Sequence, residues 1–347
     1  PSTSVLNAIP YYYQQLFIGK HSFRLSEFRG RTRELAEGDK ALSWWRQGVS
    51  GAIIITGEPL SGKTFLSEMI AKRAGLENII RIDPPVAGSV KERDLIRVLA
   101  NITGGGQKES DPLGLVETQS AIIFNDIELW WERSEVKNEA IERLKGLILE
   151  YGRKHLFILN SSKFAYNFMN TTCDLEERVL SNITIGPVEP QVLKEIVMGR
   201  HKAGGMQLII DGQTDEAIPD RKIKKLISDL LDSSKGNLGV AMHQWLAGIE
   251  KCDHGAIEMK LKEAPDFPDL NEKDKFLLLA QLVVHKHLSV ARIRRIFGLK
   301  DRNEAAKMID LLIRSKVIQE LMGTTYKLNP YTSGSLVQKL NKLKLIG

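Results

Sequence analysis

The sequence has few cysteines and no long apolar run, and each absence excludes a class of protein. Its 347 residues include two cysteines, Cys173 and Cys252. They are far apart and lack the spacing of metal ligands, so we expect no disulfide framework, and we expect the reducing environment of the cytoplasm. The longest apolar stretch, residues 276–284, is interrupted by Gln281. It is too short to span a bilayer, so we expect no membrane segment in this chain.

Length and charge divide the chain. A chain of 347 residues is too long for one ordinary core and predicts two or three domains. The net charge is +6, but residues 270–347 hold 15 Lys or Arg against 6 Asp or Glu, which gives this segment a net charge of +9. The basic excess therefore belongs to the C-terminal part, where an acidic partner is the first expectation.

One motif in the N-terminal half predicts a nucleotide site. Residues 57–64 match the pattern G-x-x-x-x-G-K-[ST], between an apolar segment typical of a buried strand and a helical pattern over 65–74. In such a loop, backbone N–H groups surround phosphate oxygens at the start of a helix. Lys63 is expected to reach the β and γ phosphates of ATP, and the Thr64 hydroxyl to bind magnesium. The residues assigned to the nucleotide are Gly57, Ser61, Gly62, Lys63, Thr64 and Phe65.

A second apolar strand ends in acidic residues. Residues 121–124 are followed by Asn125, Asp126 and, two further, Glu128. Open α/β sheets place their ligand crevice at the carboxyl ends of parallel strands. We assign Asp126 to magnesium and Glu128 to the activation of the attacking water, with Asn125 as a supporting polar group. The alternative is that Asn125 occupies the magnesium position, and a neutral amide there would indicate slow hydrolysis.

The segment 28–35, which reads F-x-G-R-x-x-E-L about twenty residues before the phosphate-loop strand, resembles the entrance of AAA+ and STAND ATPases, including the origin-recognition initiators. The resemblance implies that this segment lies over the adenine base. It further implies that Asn160, after the strand 155–159, senses the γ-phosphate. Arg178 resembles the arginine finger that such subunits insert into a neighbour's site, so a homo-oligomer is expected on ATP binding. A solvated helix arginine is the alternative for Arg178.

The resemblance implies an α/β P-loop NTPase core, a three-layer αβα arrangement around a parallel sheet, followed by a helical lid and a winged helix-turn-helix domain. The lid signature Gly-Asn-Leu occurs at 236–238, but Gly239 stands where the lid arginine is usual. We expect the N-terminal arm to pack on its own domain or on another subunit. The predicted divisions are an arm at 1–27, the core at 28–186, the lid at 187–259, a linker at 260–270 and the winged-helix domain at 271–347.

The basic C-terminal segment leaves its partner open. Its charge favours DNA, because phosphate neutralisation supplies most of the affinity of such modules, and Arg292, Arg294 and Arg295 form its strongest basic cluster. A winged-helix domain equally serves as a protein-binding or autoinhibitory module. His285 and His287 are either surface histidines or, as in STAND proteins, readers of the bound diphosphate.

These observations predict an ATPase, ATP- and Mg²⁺-dependent and of slow turnover, that acts as a molecular switch. It would couple its nucleotide state to a winged-helix domain acting on DNA or on a protein partner. The alternative is a nucleotide-binding signalling or interaction scaffold, for example in bacterial defence, with little hydrolysis.

Overall fold

The structure is a computed structural model, and it describes residues 3–19, 30–105, 111–134, 137–214, 217–261, 273–300 and 302–346. Three sequence predictions fall partly outside these ranges. They concern Phe28 and Arg29 of the entrance segment, the end of the arm, and most of the linker.

A five-stranded parallel sheet forms the centre of the N-terminal half. Its apolar strands alternate with helices, which is the pattern that produces parallel pairing. The strand order is β2-β3-β4-β1-β5, so β1, the strand that leads into the phosphate loop, lies between β4 and β5. The strands are β1 (Ala52–Gly57), β2 (Ile79–Ile82), β3 (Ala121–Phe124), β4 (Leu156–Ser162) and β5 (Val179–Thr184).

Both faces of this sheet are covered. Successive side chains of β1 point to opposite faces of the sheet, so that Ile53 and Ile54 belong to two different apolar clusters, one on each face. The predicted three-layer core is therefore confirmed. One short 3-10 helix, Ile127–Trp130, follows β3, and a second, Leu175–Arg178, directly precedes β5. The helices of the arm and core are α1 (Thr3–Ala8), α2 (Tyr11–Ile18), α3 (Thr32–Arg46), α4 (Lys63–Arg73), α5 (Glu92–Thr103), α6 (Glu139–Tyr151) and α7 (Lys163–Cys173).

The lid is not purely helical, and in this respect the sequence prediction was wrong. Its helices are α8 (Pro190–Ala203), α9 (Asp220–Ser234) and α10 (Leu238–Ala247). They pack with a sheet of order β7-β6-β9-β8. With two to five residues each, the strands are too short to produce a recognisable period along the sequence. They are β6 (Gln207–Ile210), β7 (Gln213–Thr214), β8 (Ile249–Asp253) and β9 (Ala256–Met259).

The arm packs on the lid of its own chain. Tyr13 is fully buried, and its hydroxyl shares a hydrogen bond with His201 Nδ1 (2.9 Å) and accepts one from Trp245 Nε1 (3.1 Å). The ring of Phe17 stacks on Trp245, with 5.8 Å between centroids. The described part of the arm therefore packs on its own chain, which is the first of the two arrangements expected from the sequence.

The C-terminal unit, by which we mean residues 273–346, has the predicted order of three helices and a hairpin. A short strand, β10, is added, and it joins the hairpin in an antiparallel sheet of order β10-β12-β11. The unit shares one apolar cluster with the core, where α11 contacts α7. In the ranges given above, no helix is long and apolar enough to cross a membrane. The elements are α11 (Lys273–His285), β10 (His287–Ser289), α12 (Val290–Phe297), α13 (Arg302–Arg314), β11 (Ile318–Met322), β12 (Thr325–Leu328) and α14 (Pro330–Lys342).

Candidate functional site

The phosphate loop connects β1 to α4 with the geometry that the motif predicts. Gly62 has a φ of 95°, a conformation that glycine adopts without strain, and α4 begins at the next residue. A Cβ added at Gly57 would lie 2.6 Å from Ser61 Oγ, so the loop closes on itself only with glycine there. Lys63 is buried, and its Nζ donates to the carbonyls of Gly57 (3.2 Å) and Glu58 (3.0 Å). Burial lowers the pKa of this ammonium group.

A cavity of about 780 Å³ opens beside the loop, between the start of α3, the end of β5 and the lid. Its volume is in the range of small-molecule sites. Gly30 and Arg31 of the entrance segment line it, and Arg31 donates to the Gly186 carbonyl (2.6 Å) and pairs with Glu34 (3.0 Å). Apolar walls beside a polar loop suit a flat heterocycle joined to phosphates. The apolar lining includes Phe65, Val192, Ile196 and Met242.

Polar side chains form a continuous chain along the carboxyl ends of β2, β3 and β4. Ser67 Oγ donates to Asn160 Oδ1 (2.7 Å), and Asn160 Nδ2 donates to Asn125 Oδ1 (2.8 Å). The same oxygen accepts from Thr64 Oγ1 (3.1 Å), while Asn125 Nδ2 donates to Asp83 Oδ1 (2.9 Å). The structure thus brings Asn160 next to Thr64 through Asn125.

Asp126 points to the C-terminal unit. Its backbone is left-handed, with a φ of 49°, and its Oδ2 lies 2.5 Å from the Nζ of Lys286. Burial acts to raise the pKa of Asp126, but the Lys286 and Lys63 ammonium groups hold it below its usual value. In this arrangement Asn125, rather than the predicted Asp126, faces Thr64.

Glu128 lies in the 3-10 helix after β3 and is 1% exposed. Burial, followed by the nearby charge of Asp126, raises the pKa of Glu128 to about 7. A carboxyl group of this kind accepts a proton near neutral pH, as a general base must. The charges of Glu128 and Asp126 both act to raise the pKa of Lys63, against the larger effect of burial.

The C-terminal unit is anchored to the segment that follows Glu128. Arg292 Nε lies 3.1 Å from Glu132 Oε2, and Arg295 donates to both carboxylate oxygens of Glu132, at 3.0 and 2.8 Å. These two arginines hold the pKa of Glu132 below its usual value against the opposite effect of burial. The ring of His285 stacks on Trp131 with 5.0 Å between centroids, and Arg292 also donates to the Trp131 carbonyl.

These contacts correct two predictions. The DNA candidates do not form a free basic surface, because Arg292 is 2% exposed and Arg295 is bound to Glu132. Arg294 is half-buried and donates to the Lys300 carbonyl (2.8 Å). Nor is His285 a surface histidine, since it is fully buried, and burial holds its pKa well below the usual value.

Arg178 lies at the opposite edge of the sheet from its own phosphate loop. It precedes Val179, which is paired in the parallel register with Ala52 at the start of β1. The phosphate loop begins at the other end of β1, five residues or roughly 16 Å away. This position does not allow Arg178 to act on the nucleotide of its own subunit.

The lid donates hydrogen bonds to backbone carbonyls of the phosphate loop. Asn237 Nδ2 donates to the Pro59 carbonyl (2.8 Å), and the Gly239 amide donates to the Leu60 carbonyl (3.1 Å). A Cβ at Gly239 would lie 2.5 Å from Leu60 Cβ. The missing lid arginine is thus replaced by a direct backbone contact that leaves no space for a side chain.

Sequence reasoning missed two residues. Asp83 is the first residue after β2, just as Asn125 is the first after β3, and this parallel was a usable signal. Lys286 lies 160 positions after Asp126, and no local pattern points to it.

The oxygen donors around the loop fit magnesium. No group of three or more His, Cys, Asp or Glu side chains within the described ranges could hold a metal by itself. Magnesium binds through a few protein oxygens together with nucleotide phosphates. The hydroxyl of Thr64, the amide oxygen of Asn125 and the carboxylate of Asp126 supply such oxygens close to the start of α4.

Comparison with known proteins gives likeness in structure only. No protein-family model matches the sequence, and no curated protein matches it. The ORC2 protein of Aeropyrum pernix, solved as ADPNP-ADP complexes, matches with a TM-score of 0.52 at 12% identity over 95% of this chain and 97% of that one. Its ADP form matches with a TM-score of 0.50 at 13% identity over 96% and 99%. This chain therefore has the fold of the ORC2-like AAA+ P-loop ATPases.

Proposed function

We propose that this protein is an ATP-binding and ATP-hydrolysing switch that couples its nucleotide state to the position of the C-terminal unit. One observation carries the proposal: Lys286 of that unit forms an ion pair with Asp126, which follows Asn125 at the carboxyl end of β3, and Asn125 in turn bonds Thr64 of the phosphate loop. This ion pair connects the C-terminal unit directly to the candidate nucleotide site.

The nucleotide part rests on the loop and the cavity. ATP phosphates would be bound by the backbone of residues 57–64 and by Lys63, with adenine in the cavity beside Gly30 and Arg31. The ORC2 structures with ADPNP and ADP support nucleotide binding by this fold. Magnesium would neutralise phosphate charge, held by Thr64 and by Asp126 once it is released from Lys286. Glu128 would withdraw the proton of the attacking water, and Asn160 would orient the γ-phosphate.

The coupling follows from charge. The Asp126 carboxylate cannot serve both Lys286 and a divalent cation at full strength, because the two cations repel each other. Binding of Mg²⁺·ATP should therefore weaken the contact of the C-terminal unit, and that contact should weaken Mg²⁺·ATP binding to the same degree.

A pair of lysine variants tests this coupling. Lys286→Met removes the cation, and Lys316→Met changes an exposed lysine of the same unit that has the same left-handed backbone. We expect Lys286→Met to bind Mg²⁺·ATP more tightly than wild type by about 5- to 100-fold, the usual range of coupling energies. Lys316→Met should match wild type. Equal Mg²⁺·ATP affinities in all three proteins would contradict the coupling, and weaker binding by Lys286→Met would reverse its sign.

The position of Arg178 supports action between subunits. If it completes a neighbour's site, Arg178→Ala and Lys63→Ala should each lack turnover, while their mixture should recover part of it. Mixed oligomers then contain sites with both an intact loop and an intact arginine. A mixture as inactive as its components would favour the solvated arginine. Particle size with and without Mg²⁺·ATP checks the expected homo-oligomer.

The partner of the C-terminal unit is DNA or a protein, and we retain the winged-helix interpretation of this unit. The net charge of +9 over residues 270–347 favours DNA. With Arg292 and Arg295 occupied by Glu132, DNA binding should be stronger once the unit separates from the core. A mobility shift at low salt that increases with Mg²⁺·ATP would support this, and no shift in either state would favour a protein partner. The cytoplasmic location stays a prediction.

A second candidate function, a STAND-like signalling scaffold with little hydrolysis, is favoured by Asn125 at the magnesium-facing position. It shares nucleotide binding with the first candidate and differs in turnover. Comparable, very slow hydrolysis by wild type and Glu128→Gln would select the scaffold.

A further inference from the structure

We propose that Asp83 is a positioning residue of the ATP site, which fixes Asn125 toward Thr64 and supplies the negative charge that an asparagine lacks. The proposal rests on the proposed function as an ATP- and magnesium-dependent site, and goes beyond it by naming the carboxylate that acts beside Thr64.

The sheet brings Asp83 and Asn125 together. Strands β2 and β3 are parallel, with Ile82 opposite Phe124, so the next residue of each strand lies at the same height. The backbone continues this pairing for one step, since the Asn125 amide donates to the Ile82 carbonyl (3.0 Å). The two side chains therefore emerge at the same edge of the sheet, at the start of α4.

The hydrogen bonds determine which way the Asn125 amide points. Its Oδ1 accepts from Asn160 Nδ2 (2.8 Å) and Thr64 Oγ1 (3.1 Å), which requires oxygen at that end. Its Nδ2 then donates to Asp83 Oδ1 (2.9 Å). The hydrogen bond to Asp83 is thus one of three contacts that select this orientation.

Charge gives the second reason. Magnesium sites on nucleotides use at least one carboxylate, and the residue that faces Thr64 here is a neutral amide. Asp126 is engaged by Lys286 until the C-terminal unit is released, so it is not available when the metal first binds. Asp83 is exposed, one hydrogen bond beyond Asn125, and so its charge is available to a cation at this edge through Asn125 or through bound water.

The experiment measures metal binding rather than turnover. Mn²⁺ binding to the protein–ADP complex is followed by electron paramagnetic resonance, and ATP binding is titrated against Mg²⁺. The variants are Asp83→Asn, the exchange Asp83→Asn/Asn125→Asp, and Glu117→Gln, an exposed acid before β3 at the far edge of the sheet. ADP and ATP binding without a divalent ion serves as the check of folding.

We expect Asp83→Asn to weaken Mn²⁺ and Mg²⁺ binding by roughly 10- to 100-fold, as loss of an outer partner of a metal ligand does, with metal-free nucleotide binding unchanged. The exchange variant, which moves the carboxylate next to Thr64, should recover metal binding. A residue with a merely structural role would not be rescued in this way. Metal affinity of Asp83→Asn equal to that of Glu117→Gln, or an exchange variant as weak as Asp83→Asn, would overturn the proposal. Absence of nucleotide binding in wild type would instead remove the proposed function, and this proposal with it.

Discussion

The Glu132→Gln substitution should detach the C-terminal unit without unfolding the chain. Glu132 is 1% exposed and is bonded to Arg292 and Arg295. Its neutralisation leaves Arg292, 2% exposed, as a buried cation without a carboxylate, and breaking a buried ion pair in this way costs about 3–5 kcal/mol. This cost is avoided if the unit separates and Arg292 reaches water. The docking equilibrium should therefore shift toward separation by roughly two to four powers of ten.

Two measurements test this expectation. Small-angle X-ray scattering should give a larger radius of gyration for Glu132→Gln, and amide exchange should become faster in the 3-10 helix Ile127–Trp130, which α11 covers. The control is Asp310→Asn, which removes an exposed ion pair with Arg314 and should change stability by less than about 1 kcal/mol. A Glu132→Gln protein with wild-type scattering and wild-type exchange would refute the reasoning that this carboxylate holds the unit in place.

Three further predictions concern the site and the lid. Glu128→Gln should retain Mg²⁺·ATP binding but lower turnover by about 10²- to 10⁴-fold, and unchanged turnover in a steady-state assay would remove its role as base. In wild type kcat/KM should rise with pH through about 7, because Glu128 must lose its proton, while a profile that is flat from pH 6 to 8 would count against this assignment. Gly239→Ala should weaken ATP binding, since the added Cβ would push the lid off Leu60, and a calorimetric titration equal to that of wild type would show that the lid tolerates it.

The sequence was sufficient where the structure depends on neighbours along the chain. The phosphate loop was predictable because its glycines, its lysine and the flanking strand and helix are all local. The sequence also indicated that Asn125 and Asn160 belong to the carboxyl ends of strands of one parallel sheet, and the structure joins their side chains by a hydrogen bond beside Thr64. Parallel strands made this inference safe, because their carboxyl ends meet at one edge.

The sequence was insufficient where packing between distant segments determines the surroundings of a side chain. The backbone at Asp126 is left-handed and its carboxylate pairs with Lys286, and nothing in the local sequence indicates either feature. Arg292 was predicted as a DNA contact because it belongs to a basic cluster in the sequence, but its partner, Glu132, comes from another domain. Lys286 was missed for the same reason, as it matters only through a contact made in the folded chain, whereas the position of Asp83 directly after its strand was a usable signal.

The central claim is that Mg²⁺·ATP binds at the loop that ends in Lys63. Isothermal titration calorimetry of the purified chain tests it most directly, with Lys63→Ala as the control. The account predicts saturable heat for wild type with Mg²⁺·ATP and none for Lys63→Ala. No heat from wild type with any adenine or guanine nucleotide, or equal heat from both proteins, would contradict it.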